Sequence, residues 1–135
     1  MSAVVEFNRG GFLFPGEPIR FDERELNRLL TFAVEKGASD IYIKTDRPIT
    51  ARVHGRLVRM TSRRLEHAEV VDVTCAMYGG ANADLQLRTG QPIDAAYSVK
   101  VSRDQSLRFR WCATGVLMNS AFGISIVLRQ LPALP

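Results

Sequence analysis

The period of the apolar residues changes at Gly37, and that change constrains the fold of this 135-residue chain more than any other feature. Before it, Leu26, Leu29, Leu30, Ala33 and Val34 recur at helical spacing. Asp22 is placed to cap the first turn, Glu25 holds the acidic position of a capping box, and Phe21 and Leu26 are spaced as a hydrophobic staple. Gly37 then supplies a left-handed stop. After it the period drops to two: Asp40 to Lys44 puts Ile41 and Ile43 on one face, which reads as a strand.

A hairpin follows, with His54-Gly55 as its two-residue turn. Pairing across that turn sets Ala51 against Val58, Ile49 against Met60 and Thr50 against Arg59, so like meets like except at Arg52 and Leu57. Val70, Val73 and Met77 predict a second helix over Glu66 to Tyr78, ended by Gly79-Gly80. Asn82 is placed to cap a short third helix reaching Arg88, with Gly90 as terminator. Ile93 to Val101, Leu107 to Ala113 and Phe122 to Leu128 read as strands. The order α, ββ, αα, βββ does not suit a doubly wound parallel sheet. It predicts an α+β fold, an antiparallel sheet with helices packed to one side.

Residues 1–20 are broken by Gly10, Gly11, Pro15, Gly16 and Pro18 and read as an extended arm, with Phe12, Leu13 and Phe14 pinned to the body. At 46% apolar and 24% charged residues, the chain is a globular domain with a real core, and wholesale disorder is excluded. Cys75 and Cys112 are too few and too far apart for a disulfide framework or a zinc site. His54 and His67 have no ligand at metal spacing, so no metal site is expected. The N-terminus lacks a signal-peptide pattern, and no window approaches a membrane span. A reduced, cytoplasmic setting follows.

The strand Leu107 to Ala113 is the most informative for chemistry. Alternation puts Leu107, Phe109 and Trp111 on a core face and Arg108 and Arg110 on the other. Arg129 ends the last strand on the face opposite Ile124, Ile126 and Leu128. If the two strands are neighbours, three arginines share one polar surface. Planar guanidinium forks that stay charged at any physiological pH suit phosphate; solvating one face of a half-buried sheet is the plainer role. Gly11 to Gly16 has the glycine spacing of a phosphate loop, but Glu17 and Pro18 replace its lysine and hydroxyl residue. No catalytic residue is expected in this chain. Ser39 and Asp40 are read as loop residues bonding local backbone N–H groups.

Three segments in order, Gly37-Ala38-Ser39-Asp40-Ile41-Tyr42-Ile43, Ala51-Arg52-Val53-His54-Gly55-Arg56-Leu57, and Arg108-Phe109-Arg110 with Val127-Leu128-Arg129-Gln130-Leu131-Pro132, resemble the N-terminal domain of the secretion and conjugation traffic ATPases, the PilT/DotB/TraJ-like family. The resemblance spans roughly residues 22–132. Trp111 and Cys112 stand where the family often continues with valine and asparagine. The stretch from Arg110 to Arg129 is also longer than in the pilus-retraction members, which favours the DotB/TraJ branch.

The resemblance implies a PAS-like domain over residues 21–129, with residues 1–20 as the arm. It implies that 130–135 begin a linker to a RecA-like ATPase domain. It further implies a regulatory and oligomerisation role in a hexameric ATPase powering type IV secretion, conjugation or Dot/Icm-like. Carried over residue by residue, Arg108, Arg110 and Arg129 become nucleotide phosphate contacts. ATP and Mg2+ are the cofactors of the full-length parent, and this fragment alone binds none. The implied partners are its own ATPase domain, neighbouring subunits of a homohexamer and inner-membrane secretion components, with the assembly peripheral at the inner membrane. Two other readings stand beside this one: a free-standing PAS-like ligand-binding module, or the N-terminal domain of a type IV pilus or type II secretion ATPase. A nucleic-acid partner reading rests on Arg52, Arg56, Arg59, Arg63 and Arg64; it is not expected, because a solvated face accounts for that stretch.

Overall fold

The structure, a computed structural model, describes residues 11–132; the first ten residues of the arm and the last three of the linker lie outside the described residues. The elements are α1 (Glu23–Glu35), β1 (Ala38–Lys44), β2 (Thr50–Val53), β3 (Arg56–Arg59), α2 (His67–Tyr78), α3 (Ala83–Arg88), β4 (Ile93–Lys100), β5 (Ser106–Met118) and β6 (Ala121–Gln130). The six strands form one sheet in the order β3-β2-β1-β6-β5-β4, antiparallel at every pairing. The helices pack on one side of it, so the α+β expectation holds.

Helix α1 begins as its sequence dictates. The Asp22 carboxylate accepts the Glu25 N–H at 2.9 Å, and Phe21 and Leu26 are both fully buried. Glu25, however, turns to Arg28 at 2.8 Å rather than back to the cap. A complete capping box forms instead on α2, between Glu66 and Glu69. Asn82 sits at the N-cap of α3 without a side-chain bond. The hairpin has the expected register, including Arg52 opposite Leu57. His54 (φ 50°) and Gly55 (φ 78°) both adopt left-handed backbone, the conformation a tight two-residue hairpin turn requires.

The last two strands are longer than their alternation predicts. β5 continues through Met118 and β6 starts at Ala121, joined by a turn with positive φ at Asn119 and Ser120. Gly115 and Gly123 interrupt the side-chain pattern, and packing explains the first: a Cβ on Gly115 would lie 2.8 Å from the Leu87 carbonyl oxygen and from the Phe122 ring. α3 can approach the sheet only over a glycine.

The arm is partly pinned. Phe14 is buried and Phe12 packs on the core, but Leu13, at a bend, is 40% exposed, and residues 11–20 run through turns and bends rather than as the extended arm expected. Glu17 accepts the backbone N–H groups of Ser62 (3.0 Å) and Arg63 (3.2 Å). Beneath it, buried Glu69 accepts two bonds from Arg63 (2.7 and 2.9 Å) and the N–H groups of Phe21 (2.8 Å) and Glu66 (2.7 Å). Burial alone would push the Glu69 carboxyl up, but those donors outweigh it and hold it below the usual carboxylate range. Arg63 therefore faces inward and does not join a basic surface stripe.

Candidate functional site

β5 and β6 are neighbours, and their pairing brings the three predicted arginines onto one face. Phe109 and Trp111 are buried beneath the sheet, while Arg110 and Arg129 are exposed and directly opposite each other. Arg108 lies two residues before Arg110 on the same face, and its carbonyl accepts the Leu131 N–H at 2.8 Å, extending the pairing past β6.

Each of the facing arginines is held by an acid from the strand beyond. Arg110 on β5 donates through Nε (3.1 Å) and Nη2 (3.0 Å) to Asp94 on β4. Arg129 on β6 donates through Nε (3.0 Å) to Asp40 on β1, whose second oxygen accepts the Ser39 hydroxyl at 2.8 Å. The hydrogen bond from Arg110 lowers the pKa of Asp94. Burial acts to raise that of Asp40, but Ser39 and Arg129, with Arg52 nearby, outweigh it and bring it down. Arg108 makes no ion pair among the described residues.

Arg108 and Arg129 border two grooves on either side of the chain's exit. One, about 640 Å³, runs between α1 and the β4–β5 turn and is lined by Val34, Val101, Leu107, Arg108 and Leu131. The other, about 470 Å³, is lined by Gly37, Ser39, Arg129 and Pro132. The arrangement offers guanidinium donors to an anion near residues 129–132, with two carboxylates already competing for two of them.

Sequence reasoning missed those carboxylates. Ser39 and Asp40 are not loop residues: β1 starts at Ala38, with a register irregularity between Ala38 and Asp40, and Asp40 meets Arg129 on β6 while Ser39 bonds Asp40. Alternation with Ile41 and Ile43 already places Asp40 on the bare face, the available signal. His67 opens α2, hydrogen-bonded through Nδ1 to the Thr45 hydroxyl at 3.1 Å with its ring edge-on to Phe122. Among the described residues, no group of three or more His, Cys, Asp or Glu is arranged to hold a metal ion, and no helix is long and apolar enough to cross a membrane.

No protein-family profile matches the chain, and no curated protein matches it significantly. Among solved structures, it is similar to the ATPase DotB of Legionella pneumophila at 41% identity and a TM-score of 0.86, over 89% of this chain and 32% of that one. The ATPase DotB of Yersinia pseudotuberculosis shares the fold at 24% identity and a TM-score of 0.79, over 86% of this chain and 32% of that one. So does the pilus retraction motor PilT, solved with ADP, at 21% identity and 0.60, over 81% and 29%. The chain thus spans about a third of the length of the proteins it resembles. This chain fits the DotB/PilT-like ATPase family as an N-terminal domain, with DotB favoured over PilT.

Proposed function

We propose that this chain is the N-terminal regulatory and oligomerisation domain of a hexameric ATPase powering type IV secretion of the conjugation or Dot/Icm-like kind. Its arginines read nucleotide held by a following RecA-like domain. The family fit supports the parent's being an ATPase. The observation that carries the sensing role is the convergence of Arg108, Arg110 and Arg129 on one face beside the chain's exit.

The chemistry is charge recognition. ATP with Mg2+ would sit on the following domain, and a guanidinium reaching its terminal phosphate would stabilise charge that develops on hydrolysis. Arg108, without an acid partner among the described residues, is ready to do so. Arg129 engages Asp40 through Nε alone, so its terminal fork is free to bind a phosphate bidentately. Arg110 already gives two nitrogens to Asp94 and would have to exchange partners. Nucleotide state then biases how this domain sits on its own ATPase domain and on neighbouring subunits, converting turnover into motion of inner-membrane secretion components from the cytoplasmic side.

Arg108→Ala, Arg110→Ala and Arg129→Ala in the full-length parent test this. At least one should lower the ATPase rate by about tenfold or more while the domain stays folded by circular dichroism. Normal turnover in all three contradicts the phosphate contact.

A further inference from the structure

The sheet face opposite the helices is uncovered among the described residues, and it is electrically unlike the rest of the chain. It carries Lys44 on β1, Arg52 and Arg59 on β2 and β3, Lys100 on β4 and the three arginines described above, against Asp40 and Asp94 alone. Seven of the chain's 18 basic residues and two of its 14 acidic residues lie there, which leaves 11 bases and 12 acids for everything else. The net charge of +4 is therefore a property of one surface.

That surface is also ordered by type. Cys112, Val127 and Tyr42 are register partners in a row across β5, β6 and β1, with Val127 36% exposed, and the row continues to Asp94 on β4 and Thr50 on β2. The adjoining row is Arg110, Arg129, Asp40 and Arg52. Ser125 and Lys44 pair on the other side. An apolar centre containing tyrosine, rimmed by arginines whose positions are fixed by neighbouring acids, is the anatomy of a protein–protein interface.

We propose that this bare sheet face docks a protein partner presenting an apolar patch rimmed by carboxylates, an interface beyond the phosphate contacts and centred on Val127. Charge complementarity sets the sign of the partner, and the apolar row sets its class. A single-stranded nucleic acid needs several exposed aromatic rings to stack on, and this face offers Tyr42, whose hydroxyl already accepts a bond from Arg52. Phosphates alone would leave Val127 wet. A planar lipid surface fits poorly, since six strands each turned about 20–25° from the last make a strongly twisted face.

A photo-crosslinking residue at Val127 in the intact protein, expressed in cells, tests the proposal, with exposed Ala68 on α2 as the reference position. Crosslinking to one protein from position 127 should exceed that from 68 by about tenfold, and the captured peptide should carry Asp or Glu flanking apolar residues. Arg52→Glu with Lys44→Glu should cut the yield by about tenfold, and reversing the partner's acids to lysines should restore it. If substitution at 127 unfolds the chain, a benzophenone maleimide on exposed Cys112 in a Cys75→Ala background reads the same row. Capture of nucleic acid or lipid, a yield no higher than from Ala68, or a yield indifferent to the charge reversals overturns it.

Discussion

Arg110 and Arg129 face each other across β5 and β6, and each gives its Nε to an acid on the strand beyond, Asp94 on one side and Asp40 on the other. Two like charges directly opposite in a sheet destabilise it, so the flanking acids are what permit the pair. The same acids set how much of each guanidinium is left for a phosphate.

The Glu69 cluster ties three segments that are distant in sequence: the arm, the loop after β3 and α2. Glu69 is almost fully buried and receives four donors, so removing its charge leaves Arg63 and two backbone N–H groups short of a partner. Glu69→Gln is expected to destabilise the chain by about 2–4 kcal/mol in urea denaturation. A change below about 0.5 kcal/mol would mean that water or a rearranged loop satisfies those donors.

The same carboxylates predict an acid limb. Glu69 and Asp40 have folded-state pKa values below their unfolded ones, so the native state binds fewer protons than the unfolded chain. Their stabilisation is complete above the ordinary carboxylate range, around pH 4, and is lost as pH falls through the lower folded values. Thermal melts from pH 6 down to pH 2 should show Tm falling across that window. Glu69→Gln should flatten the fall, and an unchanged slope would contradict the assignment.

Gly115→Ala should destabilise by about 1–3 kcal/mol, because the new methyl meets the Leu87 carbonyl oxygen of α3, a backbone atom that cannot rotate away. Equilibrium unfolding decides it. A neutral result would mean that α3 lifts from the sheet at little cost.

His54→Asn should raise stability by roughly 0.5–1 kcal/mol, since asparagine tolerates the left-handed backbone at this first turn position better than histidine. A lower Tm would show instead that the His54 ring, packed beside Gly37, contributes more than the turn conformation costs.

Where structure depends on neighbours in sequence, the chain was readable. α1 has its cap, staple and terminator between Phe21 and Gly37, and the β2–β3 register follows from eight residues whose faces must match. The sharing of one face by Arg108, Arg110 and Arg129 followed from alternation, needing only that β5 and β6 pair. What escaped depends on contacts across the chain. Asp40 meets Arg129 at a separation of 89 residues, and no local pattern announces that a strand acid will neutralise a distant arginine. Arg63 read as one of a basic series because its partner Glu69 lies across a turn, on a helix. The continuation of β5 past Ala113 was hidden by Gly115, which interrupts the side-chain pattern until α3 is seen beside it.

The phosphate-sensing account is tested most directly by the structure of the full-length parent bound to a non-hydrolysable ATP analogue with Mg2+. It predicts that Arg108 or Arg129 places guanidinium nitrogens within about 3 Å of a terminal phosphate oxygen, with Asp40 still on the Nε of Arg129. All three guanidiniums turned to solvent, with the Asp94 and Asp40 pairs unaltered, would contradict it.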